Sequence, residues 1–210
     1  MKRIWYAFSL TVFVIGLVAF AQTRKGDVEP ARSYAVVMAN YRIGADGSRT
    51  NLNSRVVLAN ASGELRQTTY DPNNAASLSK QSPLVARTEE GLFATAPGHP
   101  ERKLISSTPV PKDMSECFRS AKCLSSMPQL VRVEELACLQ VYVMHNDIPA
   151  PHPMEWMEQS YSPKIGFMPL RKVMHFRDGS EWILEATSVE FKEVPDDIND
   201  DIKAMPVRKP

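Results

Sequence analysis

The segment from Tyr161 to Ile198 constrains the fold most strongly, because hydrophobic runs flank an Asp178-Gly179 pair within it. Aspartate tolerates a positive φ angle and glycine has no Cβ, so the pair suits a two-residue β-hairpin loop. A loop of this length places Arg177 opposite Ser180. The segment therefore predicts two antiparallel strands joined by a tight turn.

The register of this hairpin has two alternatives. With the two-residue loop, Met174 and Phe176 share a face with Ile183. A one-residue bulge at the turn instead places Phe176 opposite Trp182 and exchanges the faces of one strand. Both registers leave apolar residues on both faces, unlike an ordinary half-exposed strand. We expect a sheet packed under loops on both sides or one that lines an apolar cavity, and the first is favoured.

Short runs of β-forming residues, separated by turn signals, continue this pattern upstream. Asp46-Gly47 supplies a second turn of the same kind. We expect strands over Tyr34–Tyr41, Arg55–Ala59, Glu64–Tyr70, Gly91–Ala96, Arg102–Ser107 and Met154–Tyr161, with a loop over Asp71–Pro83 and a turn over Pro97–Pro100. The chain is therefore predicted to be mainly antiparallel β.

The longest apolar stretch after the N-terminal segment is Leu130–Met144. Its alternation predicts a strand, a bulge or kink near Glu134-Glu135, and a second strand. An amphipathic helix is the competing interpretation, but the β-branched residues disfavour it. A short helix is expected instead over Met114–Leu124, because Asp113 and Glu116 resemble a capping box.

Residues 1–21 have the pattern of a signal peptide. Lys2 and Arg3 precede an apolar run, and Ala19-Phe20-Ala21 places small residues where a signal peptidase reads them. We expect cleavage after Ala21, and the alternative is that residues 4–21 remain as an N-terminal membrane anchor. Either outcome places the rest of the chain in the periplasm or outside the cell.

The remaining length suits one domain with a core of its own. We assign residues 22–33 to a flexible leader, 34–205 to a single β domain with an irregular insertion at about 108–128, and 206–210 to a tail. The chain has 25 basic and 24 acidic residues, so loss of Lys2 and Arg3 leaves 23 against 24, a net charge of −1. A domain of this charge has no long-range attraction to nucleic acid or to an anionic membrane.

Three cysteines outside the cytoplasm allow one disulfide. Cys138 lies in the apolar stretch and is expected to be buried, which leaves Cys117 and Cys123 as the pair. On a regular helix these two side chains point to different sides, so the disulfide and a continuous helix over Met114–Leu124 exclude each other. The disulfide is favoured.

Candidate catalytic and metal-binding residues form no recognised pattern. His145, Asp147, His152 and Glu155 are ligand types that metals use, but their spacing matches no known site and a polar loop is preferred. His175 is interpreted as an ordinary sheet residue. No nucleophile elbow, phosphate loop or dinucleotide motif occurs in the sequence. We therefore predict no catalytic residue, no metal, no cofactor and no enzymatic activity.

Several short motifs follow one another in the C-terminal third of the chain. They are Trp156, Gly166-Phe167-Met168-Pro169-Leu170-Arg171, Asp178-Gly179, Val189–Phe191 and Val194-Pro195-Asp196. In this order they resemble the end of the bacterial lipoprotein-carrier-like superfamily and of related outer-membrane lipoprotein-sorting domains. The resemblance implies a half-open antiparallel β-barrel whose concave face, closed by helices, holds acyl chains. The proline-rich middle of this chain departs from the family, which has lid helices there.

Together, the residues and the resemblance predict a curved antiparallel sheet or half-open β-barrel with long loops and one or two short helices. Its expected function is non-catalytic binding of a lipid, an acyl chain or another apolar ligand. The expected ligand-lining residues are Val141, Val143, Trp156, Met174, Phe176, Trp182 and Leu184. The alternative function is an envelope interaction or sensor module that binds a protein partner and no lipid, because the superfamily also includes such sensors.

Overall fold

The computed structural model describes residues 27–70, 84–95, 100–107 and 112–208. The strands are β1 Tyr34–Ile43, β2 Arg49–Ala59, β3 Leu65–Tyr70, β4 Leu84–Thr88, β5 Gly91–Thr95, β6 Lys103–Ser106, β7 Leu130–Leu136, β8 Leu139–Asp147, β9 Met154–Tyr161, β10 Arg171–Phe176 and β11 Glu181–Phe191. The short helices are α1 Lys112–Phe118, α2 Ala121–Ser125 and α3 Asp200–Lys203. The signal-peptide prediction, the Asp71–Pro83 loop and residues 97–99 of the predicted turn lie outside the described residues.

The strands form one antiparallel sheet in the order β6-β5-β4-β3-β2-β1-β11-β10-β9-β8-β7. Every neighbouring pair is consecutive in sequence except β1 and β11, which join the two arms. Within the described part of the chain, β6 and β7 are edge strands and the sheet is not closed. The predicted class, a mainly β protein built on an open and curved antiparallel sheet, is confirmed.

The β10–β11 hairpin has a three-residue loop, so the predicted two-residue loop is wrong. The Phe176 amide donates to the Ser180 carbonyl at 2.9 Å, and the Gly179 amide donates to the Phe176 carbonyl at 2.9 Å. Asp178 Oδ1 accepts from the Ser180 amide at 2.9 Å, and only Gly179 takes a positive φ, of 79°. This is the three-residue arrangement in which one glycine occupies the left-handed position.

The longer loop decides which side chains share a face. Met174 pairs with Trp182, so these two residues lie on one face, as in the bulged alternative. Phe176, however, lies opposite Ser180 rather than Trp182. The β1–β2 loop repeats this geometry, because the Gly44 amide donates to the Ser48 carbonyl at 2.7 Å.

The stretch Leu130–Met144 forms a complete hairpin, so the predicted bulge or kink is wrong. Ala137 and Cys138 make a two-residue turn in which φ is 49° and 61°. Positive φ at both loop residues matches the twist of antiparallel strands, although side chains with a Cβ rarely adopt it. Cys138 is therefore exposed and free at the turn, not buried as predicted.

The segment between β6 and β7 resolves the conflict between helix and disulfide. α1 ends at Phe118 and α2 begins at Ala121, with the side chain of Ser120 accepting from the Cys123 amide at 3.2 Å. The break brings the Cα atoms of Cys117 and Cys123 to 5.3 Å, and the two residues form a disulfide. The segment therefore forms the favoured disulfide together with two short helices, and a continuous helix over Met114–Leu124 is absent.

Two terminal segments contact the domain although the sequence predicted a leader and a tail. The Glu29 amide donates to the Arg119 carbonyl at 2.7 Å, and Val28 bridges Ser120. At the other end, Val207 forms a parallel bridge with Arg102. No helix within the described residues is long and apolar enough to cross a membrane.

The two faces of the sheet differ in what they pack against. Phe118 and Leu124, from α1 and α2, pack on Tyr142 and Tyr161, and we call this side of the sheet the helix-side face. The opposite side carries a row of charged residues and is called the ion-pair face. The main apolar core consists of Tyr34, Val36, Met38, Val57, Ala59, Leu139, Val141, Ile165, Leu170 and Ala186.

Candidate ligand-binding site

A pocket of about 240 Å³ opens at one end of the helix-side face, between the β2–β3 loop, α1 with Arg119, and the loop after β9. Its apolar lining includes Tyr34, Ala59, Leu65, Ile165, Phe167 and Met168. Its basic residues are Arg32, Arg119 and Lys164, and none of the residues that line it is acidic. The pocket therefore combines an apolar floor with positive charge.

Two buried donors in the pocket wall have no hydrogen-bond partner among the described residues. They are Nε of Arg119 and Nδ2 of Asn60. Asn60 is held in place because its Oδ1 accepts from the Glu64 amide at 2.9 Å and from Ser62 Oγ at 2.7 Å. An unpaired buried donor costs about 1–3 kcal/mol, so an acceptor group placed here would offset that cost.

The wall formed by the loop after β9 is less buried than the floor. Phe167 and Met168 are half-buried, whereas Tyr34, Ala59 and Ile165 are buried. Phe167 packs edge-on against Phe118 with ring centroids 5.0 Å apart. Burial also raises the pKa of Tyr34 to about 12, so its hydroxyl stays neutral at the pocket floor.

Three basic side chains share the helix-side face with this pocket. The register places Arg55 opposite Met38, and Lys172 opposite Leu184. Arg87 lies nearer the pocket, with its guanidinium 5.7 Å from the ring centroid of Phe167. Burial lowers the pKa of all three residues, and the positive charge of Arg55 lowers that of Lys172 further.

The seven predicted ligand-lining residues do not share one face. Met174, Phe176, Trp182 and Leu184 lie on the helix-side face, where Lys172 and Gln159 also point. Trp156 pairs with His175 and Val143 pairs with Ser160, and this register places them on the ion-pair face. One cavity therefore cannot be lined by both sets.

Val141 and Val143 have 0% of their surface exposed. A side chain that lines an open pocket keeps some accessible surface, so these two residues pack the interior instead. The sequence could not separate the two sets, because the face of each residue depends on the loop lengths of two hairpins.

The ion-pair face holds a network of charged side chains. Arg132 donates to both oxygens of Glu158, at 3.0 and 2.7 Å, and also contacts Glu134 at 3.1 Å. Arg171 links Glu134 and Glu185, at 3.8 and 3.4 Å. The hydrogen bonds from Arg132 hold the pKa of Glu158 below its ordinary value.

The histidine and carboxylate residues considered for a metal are distributed between separate contacts. His145 contacts Glu158 at 3.3 Å and Asp147 at 3.2 Å. His152 Nδ1 accepts from the Met154 amide, and Glu155 lies 3.7 Å from His175. In the described part of the chain, no group of three or more His, Cys, Asp or Glu residues could hold a metal ion.

No family model and no curated protein matches this chain. Solved structures similar to it include a LolA superfamily protein from Nitrosomonas europaea, at 14% identity over 82% of this chain and 91% of the other, with a TM-score of 0.38. A putative outer membrane lipoprotein-sorting protein domain from Vibrio parahaemolyticus is similar at 14% identity over 85% and 93%, with a TM-score of 0.38. PNGF-II is similar at 15% identity over 85% of this chain and 31% of its own length, with a TM-score of 0.49.

The similar structures thus include members of the superfamily that the C-terminal segment resembles.

No sequence signal indicated the three basic residues on the helix-side face. Arg55, Arg87 and Lys172 lie on different strands, and no local pattern distinguishes them from basic residues that face solvent. The alternation of Arg171 and Lys172 places one on each face, but only the register shows which side is the helix-side face.

Proposed function

We propose that this chain is a non-catalytic binding protein for a lipid or another apolar ligand, which it takes up on the helix-side face. The observation that carries the proposal is the pocket with an apolar floor, three basic residues, no acidic lining residue and two unpaired buried donors. An apolar chain would bind by burying surface at about 25 cal/mol per Å². Polar groups of the ligand would satisfy Arg119 and Asn60.

The size of the pocket defines how a longer ligand would bind. At about 240 Å³ it is smaller than typical pockets for drug-sized ligands, which begin at about 300 Å³. A long acyl chain would therefore displace the half-buried Phe167 and Met168 from the open wall. Displacement at this wall leaves the buried floor residues and the sheet in place.

The proposed location is outside the cytoplasm, in the periplasm or secreted, after cleavage behind Ala21. Two features support it: the signal-peptide pattern of residues 1–21 and the disulfide between Cys117 and Cys123. Disulfides form and persist in oxidising compartments.

The first experiment is native mass spectrometry of the mature protein purified from its own envelope fraction. We expect a co-purifying mass in the lipid range that organic solvent releases. The delipidated protein should then bind N-phenyl-1-naphthylamine, a neutral fluorescent probe, and lose it to added lipid. An apo mass together with no uptake of probe or lipid would contradict the proposal.

A matched pair of variants tests the position of the ligand. Ala61 and Ala45 are exposed alanines at the first position of equivalent three-residue loops, and only Ala61 lines the pocket. We expect Ala61→Trp to weaken probe binding at least ~10-fold, about 1.4 kcal/mol, by filling the opening. Ala45→Trp should leave binding unchanged. Equal affinities in the two variants would show that the ligand does not bind in this pocket.

An interaction module remains the second candidate function. The edge strand β7 exposes 54% of Val131 and 47% of Val133, and an edge strand can accept an added strand from a partner. A Val133→Lys variant that loses a defined envelope partner, while lipid binding is absent in the wild type, would favour this alternative.

A further inference from the structure

Ion pairs are distributed unevenly between the two faces of the sheet. On the ion-pair face, Arg132 and Arg171 form ion pairs with three carboxylates, those of Glu134, Glu158 and Glu185. On the helix-side face, Arg55, Arg87 and Lys172 are half-buried, and no ion pair among the described residues includes any of them. Positive charge is therefore uncompensated on the same side of the sheet as the pocket.

Arg55 and Lys172 lie on the same face of the sheet, with β1 and β11 between their strands. Three strand spacings correspond to about 14 Å along a sheet, a gap that two long basic side chains narrow from both sides, and the charge of Arg55 also lowers the pKa of Lys172. Two polar atoms on this face are also unsatisfied, because Arg55 Nε and Gln159 Oε1 are buried without a hydrogen-bond partner among the described residues. Gln159 lies directly opposite Lys172.

Apolar side chains lie beside both members of this basic pair, and Arg55 is opposite Met38. Lys172 is flanked by Met174 on its own strand and by Leu184 opposite, with Trp182 one step along the same face. The indole Nε1 of Trp182 donates to Asn40 Oδ1, and Asn40 Nδ2 donates to Asn53 Oδ1 at 2.9 Å. The polar groups of Trp182 and Asn40 are therefore already satisfied. Arg55, Lys172 and Gln159 are thus the polar groups beside these apolar residues that remain available to a ligand.

Two like charges that are partly desolvated and unpaired disfavour the free protein. An anion between them would be stabilised by both charges and by the Arg55 fork, which suits carboxylate and phosphate groups. We propose that the ligand is an amphiphile with an anionic headgroup, which Arg55 and Lys172 bind while its apolar part lies along the helix-side face. This inference rests on the proposed function, because it assigns the charge of the ligand that the same face would bind.

Titration of the delipidated mature protein with dodecanoate, dodecyl phosphate and dodecanol tests the inference. The three probes share one chain and differ in the headgroup, and displacement of N-phenyl-1-naphthylamine reports each affinity. We expect at least one of the two anions to bind ~10-fold or more tightly than the alcohol. The better of the two identifies the headgroup as carboxylate or phosphate.

Arg55→Gln and Lys172→Gln should each weaken the preferred anion by ~10-fold and leave dodecanol unchanged. Lys192→Gln is the control, because it removes one positive charge from an exposed pair with Glu190. Circular dichroism and thermal melting of each variant establish that it is folded. If a variant does not fold, the headgroup comparison in the wild type still decides the charge preference.

The outcomes separate the two proposals. Equal binding of all three probes, or equal loss of anion and alcohol in both variants, overturns the anionic headgroup and leaves the proposed function in place. Binding of none of the probes overturns both. A preference for the anion that Arg55→Gln and Lys172→Gln remove, and Lys192→Gln keeps, establishes the basic pair as the headgroup site.

Discussion

The indole of Trp156 lies parallel to the imidazole of His175, with ring centroids 4.8 Å apart and an angle of 4° between the planes. The ring centroids of Trp156 and His145 are 5.5 Å apart. The arrangement arises because Trp156 and His175 face each other on β9 and β10. The stacked rings are therefore a contact between two neighbouring strands on the ion-pair face.

This stack should be measurable as a coupling energy. We expect the cycle of Trp156→Ala, His175→Ala and the double variant to give about 0.5–1.5 kcal/mol of coupling in urea unfolding. A cycle of Trp156→Ala with the exposed Lys192→Ala should give none. Additive effects in the first cycle would show that the parallel rings do not stabilise the sheet.

The Arg132–Glu158 pair predicts a specific loss of stability in acid. Because its hydrogen bonds lower the pKa of Glu158 below 4.5, the pair stabilises the folded state above that pH and is lost as pH falls through the folded pKa. We expect Glu158→Gln to cost about 1 kcal/mol at neutral pH, after allowance for solvent screening. The difference from wild type in urea unfolding should disappear once the pH has fallen below the folded-state pKa of Glu158.

The matched control for this pair is Glu190→Gln, whose partner Lys192 is exposed. It should change stability little at either pH. A deficit of Glu158→Gln that persisted in acid would point to packing rather than charge.

Lys172 should oppose folding of the ligand-free protein at neutral pH. Burial, with a smaller contribution from Arg55, holds its folded-state pKa below the ordinary 10.5. The charged form is therefore disfavoured in the folded state, and we expect Lys172→Met to raise the free energy of unfolding by about 1 kcal/mol. As pH rises through the folded pKa toward 10.5, wild type should lose this disadvantage.

Urea unfolding of wild type and Lys172→Met between neutral pH and pH 10.5 measures the sign of the difference in free energy of unfolding. Lys192→Met, at an exposed site, should show no gain. A Lys172→Met variant less stable than wild type across this range would mean that Lys172 has a stabilising partner.

The disulfide should stabilise the break between α1 and α2. The Cys117–Cys123 loop is short, so chain entropy predicts a loss of about 2 kcal/mol in Cys117→Ser/Cys123→Ser. Because Arg119 lies inside this loop and lines the pocket, probe binding should weaken as well. Thermal melting with and without reductant measures the first effect, and a melt that reductant leaves unchanged would contradict it.

The β7–β8 turn offers a stabilising change. Ala137 and Cys138 both carry a Cβ at positive φ, and each such residue costs about 1 kcal/mol. Ala137→Asn/Cys138→Gly should therefore raise the urea midpoint, because Asn-Gly suits this turn. Cys138→Ala keeps the Cβ and should give no gain, so equal gains in both variants would exclude the backbone explanation.

Local sequence signals were sufficient to identify most of the strands. Alternating β-forming residues and Asp-Gly or Ser-Gly turns predicted β1, β3, β9, β10 and β11, because these signals are local. It missed β4 and the hairpin turn at Ala137-Cys138, where no glycine, asparagine or proline marks the loop. The spacing of Cys117 and Cys123 likewise indicated a pair, but not the break at Arg119-Ser120 that permits it.

The side chains that share a face are set by the tertiary structure. One additional loop residue at Asp178-Gly179 set the face of every residue in β10 relative to β11, because side chains alternate with a period of two. The pairing of β1 with β11 joins segments that are distant in sequence, and it places Arg55 and Lys172 on the same face. Local propensity carries no information about this arrangement. Which residues of distant strands share a face depends on the order and the register of the strands in the sheet.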